Sequence, residues 1–210
     1  MKLYAGPHSG NSYKVRILLA LLGIEHALVI VSLAQKHHKS EAFKKLNPRG
    51  QVPVLEDEGH IFWDSGACLY YLAEKYGGSD WLPQGALARA EIVQWMALAA
   101  AELQFGLQYA RRGVVRGRWI AGDLEQLQAI GVLGLAPLET RLAGHDWLCG
   151  DRPTIADIAC FPYVESAPEA LIDLAPYPGI TAWLHRCRAL PGWPTRVIDP
   201  AITTQFDPTA

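Results

Sequence analysis

Three short segments within the first 65 residues carry the groups that could do chemistry. In LYAGPHSGNSYKVR, Ser9 and Asn11 stand in a turn-rich loop just ahead of apolar residues at helical spacing, where free amides and the helix dipole favour an anion. A hydroxyl donating to a bound thiolate there would stabilise it by about 1.5–3 kcal/mol, hydrogen bonds to charged groups being the strong ones. At about 1.36 kcal/mol per unit, that lowers a thiol pKa of about 8.5 by roughly one to two, enough to ionise much of it at neutral pH. The same stretch also reads as ordinary capping, with Asn11 the cap and Ser9 a turn residue.

In NPRGQVPVLED, Val52 precedes Pro53 at the mouth of a strand. Proline cannot donate to a sheet ladder, so Pro53 belongs at an edge or a turn. A cis Val52–Pro53 bond would aim the Val52 amide and carbonyl at an extended peptide ligand. In IFWDSGACLYYLAEKYG, Asp64 and Ser65 open a helix whose amides attract a carboxylate. Ser65 can add a hydroxyl bond to that carboxylate and Asp64 can pair with an ammonium beside it, which together suit the head of an amino acid. A plain edge-strand proline and a simple Asp64 N-cap are the alternatives.

The elements that must position these segments follow from periodicity. Lys2–Ala5 reads as a strand, Asn11 to Leu22 as a helix with Val15, Leu18, Leu19 and Leu22 on one face, and Ala27–Val31 as a buried β-branched strand. A polar helical turn at 40–46, a hairpin of 51–56 and 60–63, and a helix from Asp64 to Tyr76 complete an α/β domain with a mixed four-stranded sheet over residues 1–77. Gly/Ser/Pro-rich residues 78–85 read as a linker and residues 86–210 as an all-α helical domain. Its first helix, 88–112, carries one stripe of Ile92, Met96, Ala99, Leu103 and Leu107 and a second of Trp95, Leu98, Glu102, Phe105 and Tyr109. A helix apolar on two sides packs against two things, its own bundle and either a pocket or a partner subunit, which points to a homodimer. Gly131, Gly134 and Pro137 interrupt the next helical stretch, 123–142; Thr154–Asp157 forms a capping box; 180–190 is helical and 199–210 is an irregular tail.

Composition narrows the function classes. A formal charge of −2 with no basic block leaves no electrostatic footprint for nucleic acid or an anionic membrane, and the apolar runs are too short to span a bilayer. The chain therefore reads as cytoplasmic. Cys68, Cys149, Cys160 and Cys187 form no CxxC pair or zinc spacing and read as buried free thiols; the histidines form no ligand pattern, so no metal site is expected.

Together with WLCGDRPTIADIACFPYV, the three segments resemble the cytosolic glutathione transferase family over nearly the whole chain. The resemblance implies a thioredoxin-like N-terminal domain that binds glutathione as co-substrate and a helical domain that shapes the second substrate's pocket. By resemblance, Val52 offers its backbone to the cysteinyl part of glutathione, Pro53 is the cis proline, and Gln51 lies beside them. Asp64 and Ser65 match the residues that hold the γ-glutamyl end; His38, with Lys39 the lesser candidate, falls where some classes bind the glycine carboxylate. Ser9 matches the activating serine of serine-type classes. Asn11 matches a position that holds cysteine in other classes, the isomerase-like one among them, and asparagine in bacterial disulfide-reducing relatives. Tyr4 is a competing thiol activator. The activities implied are conjugation of glutathione to a small hydrophobic electrophile in detoxification, glutathione-dependent reduction of a disulfide, or a non-catalytic scaffold. Phe105, Tyr109 and Arg112 are the candidates for the acceptor pocket, although aromatics at this spacing more often pack a core.

Overall fold

A computed structural model describes residues 1–119 and 122–209. The chain divides into two compact units, Met1–Tyr76 with Gly192–Ala210, and Gly77–Pro191.

The first unit begins with β1 (Lys2–Ala5), α1 (Gly10–Leu21) and β2 (Ala27–Ile30), with β1 and β2 parallel. A 3₁₀ turn at His37–Lys39 leads into α2 (Glu41–Leu46), which Ser40 caps. β3 (Val54–Asp57) and β4 (His60–Trp63) form the expected hairpin, and β3 runs antiparallel to β1. Its two-residue turn, Glu58-Gly59, has positive φ at both positions, the geometry that matches strand twist. α3 (Ser65–Leu72) follows and ends in a π-helical turn, Ala73–Gly77.

Among the described residues the sheet has five strands where the sequence suggests four. β5 (Thr203–Gln205) lies parallel to β2 at the edge, giving the order β4-β3-β1-β2-β5. The tail expected to be irregular therefore supplies a strand, and 192–209 group with the first unit rather than with the helices. Three residues are too few to show an alternating pattern, and their partner strand is remote in sequence. Ala210 lies outside the described residues.

The second unit takes in the stretch expected to be a linker, where Gly78–Trp81 forms the short helix α4. The following helical path is longer than expected: α5 (Ala86–Leu98), a π-helical stretch Ala99–Gln108, and α6 (Tyr109–Arg116). Of the first stripe, Ile92, Ala99, Leu103 and Leu107 are buried. α7 (Leu124–Leu142), capped by Asp123, runs straight through the glycines and Pro137 expected to interrupt it. Those glycines admit a close neighbour: a Cβ on Gly106 would lie 2.2 Å from the Gly131 amide nitrogen, and one on Gly134 would lie 2.8 Å from Leu103. α8 (Ile155–Glu165) is buried along nearly its whole length, and α9 (Pro178–Arg188) follows.

Candidate functional site

Ser9, not Asn11, caps α1. Its hydroxyl oxygen accepts the Ser12 amide at 3.2 Å. That bond uses a lone pair and leaves the hydroxyl proton, so capping and donation to a thiolate use different parts of one group. Asn11 sits inside the first turn, where its Oδ1 accepts the Ser65 hydroxyl at 2.8 Å. Ser65 is the first residue of α3 and is buried, so this bond draws the N-termini of α1 and α3 together. Two sets of helix-terminal amides, each at the positive end of its helix dipole, thereby lie close to one another.

Asp64 caps α3 through the Gly66 amide, 2.9 Å from its Oδ1. Its φ of 79° puts it in the left-handed region, which costs a non-glycine residue about 1–3 kcal/mol and tends to persist at functional sites. Its Oδ2 lies 3.4 Å from the Arg49 guanidinium, which also stands over the Trp63 ring. Both partners are about half exposed (51% and 53%), so the pair contributes little to stability and can be redirected to a ligand.

The Val52–Pro53 bond is cis, and Val52 lies beyond the last β1–β3 register pair, Tyr4 with Val54. Asn47, to which the sequence pattern assigns no role, holds the loop that presents it. Buried, Asn47 donates from Nδ2 to the Gln51 carbonyl (2.7 Å) and accepts the Arg49 amide on Oδ1 (3.0 Å), while its carbonyl accepts the Gly50 amide (2.7 Å). The Asx turn is readable from Asn47-Pro48-Arg49; the inward packing is not. Gly50, at φ 55°, is required, because a Cβ there would stand 2.7 Å from the His38 carbonyl. The loop thus rests on the turn that carries His38, which is half-buried, and Lys39 donates to the Arg49 carbonyl at 3.2 Å. The Gln51 side chain is exposed.

Tyr4, the competing candidate for thiol activation, has its proton engaged elsewhere. Its hydroxyl donates to Glu56 at 2.9 Å, and burial together with that carboxylate pushes its pKa up to about 12. The four cysteines are free and buried, as expected, and burial raises the Cys68 and Cys149 thiols to about 12. Cys68, three residues from Ser65, is held as an unreactive thiol.

In the second unit Phe105 and Tyr109 meet edge to face at 5.1 Å, and Arg112 stands over the Tyr109 ring. Phe105 is 45% exposed, so this row is a surface rather than the core that its spacing suggested.

A thioredoxin-like α/β unit with a cis-proline loop, followed by an all-helical unit, defines a class of two-unit proteins. The chain belongs to the glutathione S-transferase family: the family's N-terminal domain matches residues 1–74 and its C-terminal domain matches 125–191. It is 32% identical to a maleylpyruvate isomerase from Ralstonia, covering 90% of this chain and 93% of that one. It is 30% identical to the disulfide-bond oxidoreductase YfcG of Escherichia coli, covering 90% of each. A glutathione transferase homologue from Lodderomyces elongisporus, solved with two GSH per subunit, superposes with a TM-score of 0.82 at 25% identity, covering 91% of this chain and 94% of that one. Relatives in the family are transferases, isomerases and a disulfide oxidoreductase.

Proposed function

We propose that the first unit binds glutathione and activates its thiol for transfer to a small hydrophobic electrophile. The observation that carries this reading is the Asn11–Ser65 bond, which brings the starts of α1 and α3 to one place. The α3 amides receive the γ-glutamyl carboxylate, toward which the Ser65 hydroxyl turns its one proton from Asn11, and Asp64 pairs with the ammonium. The Val52 backbone and Pro53 receive the cysteinyl part, with Gln51 beside them and His38 toward the glycine carboxylate. Ser9 donates its remaining proton to the thiolate. Family membership and the GSH-bound homologue support the ligand.

Disulfide reduction is the second reading. The Ser9-Gly10-Asn11 sequence and the burial of every cysteine favour a bound glutathione attacking the disulfide with no protein thiol involved, as does the likeness to YfcG. Affinities for glutathione and glutathione disulfide, followed by side-by-side assays with an aryl halide, a model disulfide and maleylpyruvate, separate the readings. Faster turnover of the disulfide would replace conjugation as the function, faster isomerisation would replace both, and binding of neither peptide would leave a scaffold.

Replacing Ser65 by Ala removes a hydroxyl whose partner carboxylate keeps its charge throughout the reaction, so binding should suffer more than chemistry. The KM for glutathione should rise roughly ten- to a hundredfold, the equivalent of about 1.5–3 kcal/mol, with kcat nearly unchanged. A collapsed kcat at unchanged KM would sink the assignment.

The same reading places the protein in the cytoplasm as a homodimer. Trp95, Leu98, Glu102 and Tyr109 of the second stripe are only half-buried and Phe105 is exposed, while Ile61, Trp63 and Tyr70 are exposed on the first unit. Sedimentation should give a dimer at micromolar concentration; a monomer there refutes it.

A further inference from the structure

The C-terminal segment has no part in the site described above, yet it is fastened to the same unit at successive points. Tyr13 of α1 donates its hydroxyl to the Pro194 carbonyl at 2.9 Å, and the Arg16 guanidinium donates to the carbonyls of Thr195 (3.0 Å) and Arg196 (3.1 Å). β5 then pairs with β2 from Leu28–Thr203 to Ile30–Gln205, and the Phe206 amide donates to the Ile30 carbonyl at 2.9 Å. A three-residue strand is marginal alone, so these clamps determine where Phe206 arrives.

The Phe206 ring stands edge-on to Phe43 (centroids 5.4 Å apart) and to Tyr4 (6.2 Å). It packs against the buried trio Val31, Phe43 and Val54, and Val52 packs against that same trio. Phe43 lies in α2, directly after the turn that bears His38, and Val54 directly follows the cis proline. The next residue, Asp207, has its carboxyl lowered first by the hydrogen bonds of Thr209 and, more weakly, by the nearby charge of His37. The end of the chain therefore packs on Phe43 and Val54, the residues that follow the two segments, 37–39 and 50–53, that the glutathione reading uses.

We propose that Phe206 is a positioning residue for glutathione: its ring, delivered by β5, fixes the trio on which Val52 rests and so fixes the backbone that receives the ligand. The inference rests on the glutathione site proposed above. Val52 lies outside the sheet ladder, so its packing on the trio orients it together with the Asn47 hydrogen bonds to its loop. Removing the ring leaves a space into which α2 and the start of β3 can relax.

The test compares Phe206→Ala and Phe206→Leu with the wild-type chain by titration calorimetry, steady-state kinetics and amide hydrogen exchange. In Phe206→Ala, the Kd and KM for glutathione should rise about tenfold, the equivalent of about 1.4 kcal/mol lost from the preorganised backbone. Saturated kcat should hold, and exchange over residues 50–55 should quicken. Phe206→Leu, which refills most of the space, should restore affinity. If Phe206→Ala does not fold, Phe206→Leu and Arg16→Gln, which loosens the tail upstream, carry the same comparison. Wild-type affinity in a folded Phe206→Ala, or a loss divided equally between KM and kcat, overturns the proposal. A wild-type chain with no affinity for glutathione overturns the site reading and this inference with it, whereas binding that ignores Phe206 removes this inference alone.

Discussion

Ser9→Ala should raise the kinetic pKa of bound glutathione by roughly one to two units, the equivalent of the about 1.5–3 kcal/mol that a hydroxyl contributes to a neighbouring anion. Turnover at neutral pH should then fall by roughly ten- to a hundredfold and recover at alkaline pH, because only the ionised fraction reacts. Since Ser9 also caps α1, the variant should lose about 1 kcal/mol of stability as well, and a melting curve measures that part separately. Asn11→Ala has a different expected signature. Its Oδ1 fixes where the Ser65 hydroxyl stands before that proton turns to the ligand, so its loss should unsettle the start of α3, weaken glutathione binding and leave the thiol pKa nearly in place. A pH–rate profile of both variants decides the assignment. An unmoved pKa in Ser9→Ala with a raised one in Asn11→Ala would transfer thiol activation to Asn11 and favour disulfide reduction.

Asp157→Ala should be the most destabilising single change in the helical unit, by about 3–5 kcal/mol out of a typical total of about 5–15. The carboxylate is 1% exposed and gathers the amides of Thr154 (2.9 Å) and Leu148 (3.1 Å) and the indole N–H of Trp183 (2.9 Å). Truncation leaves three buried donors without acceptors, each costing about 1–3 kcal/mol. The pH dependence has a definite sign. Burial outweighs the donors and raises this carboxyl to about 6. Its unfolded value is about 3.9, so the stability it contributes is complete below about pH 4 and is lost as pH rises through about 6. Asp157→Asn cannot titrate, so the stability gap between wild type and that variant should narrow over this range. Chemical denaturation at several pH values tests it; a gap that widens with rising pH would refute it.

What could be read from the sequence and what could not divide along physical lines. The strand–helix order of the first 76 residues, the hairpin and the Thr154–Asp157 cap were legible because each rests on local signals: period, turn chemistry and capping spacing. The helix over 123–142 was also legible, but its glycines and proline were weighed as interruptions, when Gly131 and Gly134 serve a close helix approach that only the neighbour, Gly106 with Leu103, reveals. The residues of the candidate site were nameable, but their division of labour was not. Whether Ser9 or Asn11 caps α1 depends on a partner, Ser65, more than fifty positions away. Tyr4 looked available until the antiparallel register set Glu56 diagonally across from it, a contact that follows once Tyr4 is paired with Val54. Asn47 and Arg49 escaped notice because burial and charge pairing leave no trace in a short turn motif.

The fifth strand also bears on how the protein is made. The sheet begun by Lys2–Ala5 is completed by Thr203–Gln205, so the first unit is assembled from the two ends of the chain with the entire helical unit inserted between them. On the ribosome, at about 5–20 residues per second, the first 76 residues must wait on the order of ten seconds for their last strand. Throughout that wait the edge of β2 is unpaired, and Phe43 and Tyr4 lack the aromatic ring that covers them. The helical unit, contiguous in sequence, has no such dependence and can finish first. Joining the two termini and opening the chain elsewhere would bring both parts of the first unit into one stretch, so that its sheet could close without waiting for the helices.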